Sequence, residues 1–121
     1  MKSPLFPDAI NNDRIGTDLV LETQQMRVWQ IHLEPGATLR AHRHDRPYFW
    51  TVLTAGKARS RYMDGNVVDI VYQRGESKYF PELSADNLFV HDITNTGNTP
   101  LMFVTVEFTP FSDRHGMKTS Y

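Results

Sequence analysis

Glu34-Pro35-Gly36, His42-Arg43-His44 and Thr54-Ala55-Gly56 delimit the stretch whose reading decides the fold: a turn signal, a histidine pair and a second turn signal. On a helix, residues two apart point to nearly opposite sides. On a β-strand they share one face about 6.6 Å apart, so two imidazoles could grip one ion. Read as a strand from Thr38 to His44, the tripeptide is half of a metal site. Strand parity then separates Arg40, His42 and His44 from Leu39, Ala41 and Arg43.

Working outward, Pro47 interrupts the ladder, and Tyr48 to Thr54 reads as a fresh strand. Upstream, Leu19-Val20-Leu21 and Arg27 to Leu33 read as two short strands, with Trp29, Ile31 and Leu33 alternating with more polar neighbours. Downstream, Lys57 to Met63 and Val67 to Gln73 flank Asp64-Gly65, a dipeptide that favours a tight hairpin. Glu76 to Phe80, Leu88 to Asn95 and Leu101 to Phe108 complete the set, and His91, Ile93 and Asn95 share a face. No stretch sustains a helical period, and turn signals recur at roughly the 8–12-residue spacing of sandwiches and barrels. The expectation is an all-β, single-domain antiparallel β-barrel over residues 14–108. Residues 1–13, with their prolines and Asn11-Asn12, read as an arm draped over the domain or a partner, and residues 109–121 as a polar tail holding His115.

The composition narrows the function. A chain of 121 residues is one domain by length and can bury a core without disulfides. A formal charge of -1 gives no electrostatic reason to expect nucleic acid or an acidic membrane. Cysteine is absent, which excludes thiolate metal sites and cysteine nucleophiles and fits a reducing, cytoplasmic setting. No apolar run approaches the ~20 residues of a membrane-spanning helix.

An antiparallel barrel with His-x-His after Pro-Gly and a third histidine on a later strand resembles the small single-domain members of the cupin superfamily, whose fold is a double-stranded β-helix or jelly roll. Their first motif, G-x5-H-x-H-x3,4-E-x6-G, lies on Gly36, His42, His44 and Gly56. Its acid is missing: the two candidate slots hold Tyr48 and Phe49. The second motif, G-x5-P-x-G-x2-H-x3-N, lies on Gly75, Pro81, His91 and Asn95, without the glycine after Pro81 and with four extra residues before His91. Those extra residues belong between Pro81 and Val90, at the rim of the site.

The resemblance implies a divalent metal inside the barrel on His42, His44 and His91, with the fourth position vacant or taken by water. Zinc, iron, nickel, manganese and copper all suit such a donor set. Three neutral imidazoles leave the ion at formal +2, a strong Lewis acid for a small polar or anionic metabolite. Tyr48 has two readings: a weak ligand, hydrogen-bond donor or general acid at the metal, or a ring that plugs the barrel. Arg40 likewise either binds a substrate carboxylate or sits on a solvated rim. Both are the candidate catalytic residues. His32 and His115 lack motif support, Asn95 reads as structural around Thr96-Gly97, and any of Glu76, Glu82, Asp86 and Asp92 could replace the missing acid, though neither parity nor loop position selects one and solvated surface is the default.

Three functions follow: a metalloenzyme of dioxygenase, isomerase or lyase type, a sensing module without turnover, or a structural domain whose site has decayed. Outward-facing Trp29 and Phe103 would favour a homodimer. Metal affinity is expected to fall as pH drops through about 6.5, where protons compete for imidazole.

Overall fold

The computed structural model describes residues 6 and 8–110. The apolar and β-branched runs form nine strands: β1 (Asp18–Glu22), β2 (Met26–Leu33), β3 (Thr38–His44), β4 (Tyr48–Val52), β5 (Gly56–Arg61), β6 (Val67–Tyr72), β7 (Ser77–Phe80), β8 (Phe89–Asn95) and β9 (Leu101–Phe108). They make two antiparallel sheets, one ordered β1-β2-β9-β4-β7 and one ordered β3-β8-β5-β6. Among the described residues no ladder joins the two, so the expected barrel is a jelly-roll sandwich of two facing sheets rather than one closed ring of hydrogen bonds.

Alternation decides what turns inward. In β9 the buried positions are Leu101, Phe103, Thr105 and Glu107, and the partly buried ones lie between them. The ladders set these beside Leu33, Ile31, Trp29 and Arg27 of β2, and beside Val52, Trp50 and Tyr48 of β4. Cross-strand partners share a face, so these rows form the inner surface of the five-stranded sheet. Ile31, Leu33, Val52, Ala58, Tyr72, Ile93, Leu101 and Phe103 pack into one cluster between the sheets. Each large apolar side chain buried there contributes on the order of 1.5–3 kcal/mol. Trp29 and Phe103 are 1% and 2% exposed, so neither is an outer position. Burial, the stronger force, claims the apolar parity of a sandwich strand for the core.

Asp64-Gly65 turns the chain as expected, though by a three-residue loop. Tyr62 N donates to Asn66 O (2.8 Å), Gly65 N to Tyr62 O (2.9 Å), and Gly65 alone in the loop takes a positive φ of 98°. That is a turn relieved by a left-handed residue, a conformation only glycine enters freely.

The described residues of the N-terminal arm pack on the outer face of the four-stranded sheet. A short 3-10 turn, Ala9–Asn11, brings Phe6 and Ala9 against Val90, Ala41 and Met63. Asn12 then grips β3 on both sides of His42: its Nδ2 donates to Ala41 O (2.9 Å), and its carbonyl accepts from Arg43 N (2.7 Å). At the opposite end of the sandwich, Asn95 closes the β8–β9 turn. Its Nδ2 donates to Leu33 O and Thr99 O, and its Oδ1 accepts from Gly97 N, which fits its structural reading.

Candidate metal centre

The inner face of the four-stranded sheet carries the histidines. His42 pairs with His91 across the β3–β8 ladder, and Tyr62 bridges to His91 from the other side. The row is therefore His42, His91, Tyr62, with His44 paired to Phe89 in the row beside it. Facing them on the other sheet is the row Arg27, Glu107, Tyr48, Phe80. Two strands thus bring the three imidazoles together, and their donor nitrogens all lie within 4.8 Å of one another. His42 Nε2 and His44 Nε2 are 3.1 Å apart. Two nitrogens bound to one ion at about 2.1 Å, at angles between square and tetrahedral, are separated by roughly 3.0–3.4 Å, so this spacing suits a shared cation.

A β-bulge positions the pair. Leu39 pairs with Ile93 and His42 with His91, so β3 spends three residues where β8 spends two. The extra residue switches parity. Leu39 packs against the core cluster, His42 and His44 turn inward, and Arg40 is exposed. The expectation that Arg40 shares a face with the histidines fails on this bulge.

Burial sets the charge of the cluster. It lowers the pKa of His42 from 6.5 to about 4, opposed by the Arg40 carbonyl and by Asp92. Burial first, then the neighbouring imidazoles, holds His44 and His91 well below the ordinary histidine range. All three rings are therefore neutral at pH 7, the form in which imidazole ligates. His42 Nδ1 donates to Arg40 O (2.8 Å), which fixes the tautomer that leaves Nε2 free. Among the described residues, three buried side-chain nitrogens lack a hydrogen-bond partner, and two are His44 Nδ1 and His91 Nδ1. A cluster of neutral rings whose donor nitrogens converge, with no carboxylate among them, fits a divalent cation of borderline character.

Aromatic rings close around the cluster. Tyr48 stacks on His44 with centroids 4.1 Å apart, and on its own far side Phe80 stacks at 4.6 Å with an interplanar angle of 3°. Tyr48 is buried, and its pKa is raised well above 10 by burial, with Tyr62, Tyr72 and Glu107 adding to the rise. Phe89 approaches His44 at 4.9 Å and His91 at 5.0 Å, and Tyr62 lies 5.1 Å from His91.

The remaining candidates lie elsewhere. Asp92 is buried with its carboxylate on Arg61, accepting from the backbone N, Nε and Nη2 at 2.9, 2.9 and 2.6 Å. It alternates with His91 along β8, so it faces away from the cluster. Glu76 Oε1 accepts from Gln73 N in a turn, and Glu82 and Asp86 are exposed. His32 is exposed beside Glu34, at 2.8 Å, and His115 lies outside the described residues.

Two inward residues were missed from sequence. Glu107 is 2% exposed and bound to Arg27 Nε at 2.7 Å. Burial raises its pKa, opposed by Arg27 and Arg46. Tyr62 is the other, directly against His91. Both were visible as polar residues on an apolar parity, in Leu101-x-Phe103-x-Thr105-x-Glu107 and Ala58-x-Ser60-x-Tyr62.

No family model matches the sequence, and no curated protein matches it. Solved structures do. A cupin domain from Bordetella pertussis superposes with a TM-score of 0.66 at 24% identity, covering 82% of this chain and 96% of that one. A conserved protein with a double-stranded β-helix domain from Klebsiella pneumoniae gives 0.58 at 25% identity, with 87% and 89% covered. A cupin-superfamily sugar phosphate isomerase from Silicibacter pomeroyi gives 0.50 at 25% identity, with 71% of this chain and 52% of that one covered. Strand order, the inward histidine cluster and these superpositions agree: the chain has the double-stranded β-helix fold and is similar to small proteins of the cupin superfamily.

Proposed function

We propose that this protein holds one divalent transition metal ion on His42, His44 and His91 and binds or converts a small molecule against it. The observation that carries the proposal is the meeting of three neutral imidazoles from two strands within 4.8 Å. Bound there, the ion supplies Lewis-acid polarisation of a ligand oxygen or a water of lowered pKa. With no carboxylate among the ligands the centre keeps formal +2, which favours a ligand offering one anionic or strongly polar donor group.

The chain's own residues prepare that centre. The Arg40 carbonyl orients His42, and Asn12 holds the strand on both sides of it. Tyr48, Phe80 and Phe89 exclude water from the imidazoles. The raised pKa keeps the Tyr48 phenol protonated, so in this reading it donates a hydrogen bond or proton rather than serving as an anionic ligand. Arg40, exposed and off the inner face, fits the solvated reading.

The stacked Tyr48–Phe80 pair also favours a second reading, in which Tyr48 only packs and the protein binds its ligand without turnover. A homodimer is proposed from β1 instead of the core residues: Leu19, Val20 and Leu21 are 38%, 58% and 52% exposed on an edge strand. A monomeric elution volume would contradict it. No helix among the described residues is long and apolar enough to cross a membrane, and the lack of cysteine suits a cytoplasmic location.

The test is the metal content of protein purified without chelators. About one equivalent, lost on chelation together with any turnover and restored by one metal, supports the enzyme reading. Metal with ligand-dependent stabilisation and no product supports the binding module. Below roughly one-tenth equivalent of any transition metal, the site is a decayed one.

A further inference from the structure

A cavity of about 680 Å³ opens one ring beyond the histidine cluster, within the size range of small-molecule sites. Three of its lining residues are the wall of the cluster itself. Tyr62 lies against His91, Phe89 against His44 and His91, and Phe80 against Tyr48. Tyr79, Val67 and Val68, which are 58%, 57% and 41% exposed, complete the cavity's wall. The rim is formed by the segment that lengthens the second motif, Pro81, Glu82, Leu83 and Asn87, and by Asp64 and Asn66 of the β5–β6 hairpin. Among the described residues its only charged lining groups are two carboxylates, Asp64 and Glu82, and no lysine or arginine lines it. Asp64 accepts from Asn66 N and Nδ2. Lys78 sits over the Phe80 ring at 5.1 Å without joining the lining.

We infer that this cavity takes the body of the ligand, and that the ligand is a flat, apolar organic molecule with at most one negative charge and no phosphate. The inference rests on the metal-centred reading for where the polar end goes, and on the cavity alone for the rest. Aromatic side chains from both sheets, Phe80 on one and Tyr62 and Phe89 on the other, reward a planar body by ring contact and apolar burial. A phosphate needs guanidinium, ammonium or converging backbone N–H groups, and here it would meet two carboxylates. A single anionic group is compensated at the cation behind the Tyr62–Phe89 wall; a second has no partner in the lining. This sets the chain apart from a phosphorylated-sugar enzyme in chemistry, whatever fold they share.

The experiment is calorimetric titration of metal-loaded and metal-stripped full-length protein with naphthol, naphthoate and glucose phosphate, alongside metal analysis of every sample. Naphthol and naphthoate should bind both forms, naphthoate more tightly when metal is present, and glucose phosphate should bind neither. Tyr79→Ala, at an exposed wall position, should weaken both naphthyl probes by about fivefold with metal content unchanged. Glu82→Lys should strengthen naphthoate binding and leave naphthol alone. Glucose phosphate binding as tightly as naphthoate, absence of naphthyl binding, or naphthyl affinity indifferent to Tyr79→Ala would each overturn the inference. Failure of the metal reading is separate: samples without metal that still bind naphthol in a Tyr79-dependent way keep the cavity and lose the centre.

Discussion

Between the two sheets, the same strands build two ends of opposite character. β2 runs from Arg27 to Leu33, β4 from Tyr48 to Val52, β8 from His91 to Ile93, and β9 from Glu107 to Leu101, each passing from a polar inner residue to an apolar one. At the apolar end Leu33, Val52, Ile93, Leu101 and Phe103 are buried against one another. At the other end His42, His44, Tyr48 and Glu107 are buried almost as deeply and His91 is partly buried beside them, with imidazole nitrogens left unsatisfied. Burying apolar surface stabilises the fold, whereas burying polar groups without full partners costs free energy. The comparison teaches that the first end supports the second, and that the polar end is retained at a cost in stability.

The largest expected effect lies at the apolar end. Leu101 is fully buried, and Leu101→Ala should cost about 3–5 kcal/mol in denaturant unfolding, while the fraction that stays folded keeps its metal stoichiometry. A loss below about 1 kcal/mol would mean that this end does not carry the fold.

Acid should act at the other end. The unfolded chain binds protons on histidine below pH 6.5, but folded His42 does so only near 4, and burial holds His44 and His91 well below 6.5 as well. Between these values the unfolded state holds more protons, so metal-free stability should fall as pH drops from 6.5, by on the order of 3 kcal/mol for His42 by the time pH passes 4. The raised pKa of Glu107 acts oppositely: its contribution is present below the unfolded value of 4.5 and is lost as pH rises through the folded one. The same burial moves the pH dependence of metal binding. In the folded protein, affinity should hold from neutral pH to about 5 and fall toward 4, below the window expected from unperturbed imidazole. A midpoint near 6.5 in competition titrations would show that the rings are solvated.

Removing Glu107 should have an intermediate effect. Arg27 is 13% exposed, and Glu107→Leu would leave its guanidinium without its main partner, costing roughly 2 kcal/mol, with chemical denaturation as the readout. The smallest stability change belongs to His42→Leu. Exchanging a buried imidazole for an apolar side chain of similar volume should leave metal-free stability within about 1 kcal/mol of the parent, or raise it, while metal binding is lost. A large destabilisation would make His42 structural and erase the contrast between the ends.

Much of this contrast was legible before any coordinates. Alternation in Leu101 to Phe108 and in Arg27 to Leu33 gives strand and facing together, because burial rewards one parity. His42, His44 and His91 were identifiable because a strand period and a pair of motifs agree on them. The bulge that displaces Arg40 was not legible: it depends on how β3 registers against β8, a pairing of residues 49 positions apart in sequence at His42 and His91. Nor does a single strand reveal which of its faces another layer will cover. Trp29 and Phe103 could be placed outside until the second sheet was known, and Asp92 could be kept as a ligand until Arg61 claimed its carboxylate.

X-ray absorption of the metal-bound protein tests the centre most directly, because it counts imidazoles rather than inferring them. Three nitrogen donors of imidazole type are expected at about 2.0–2.1 Å, falling to two in His91→Ala. A first shell dominated by oxygen, or one unchanged when His91 is removed, would contradict the three-histidine centre.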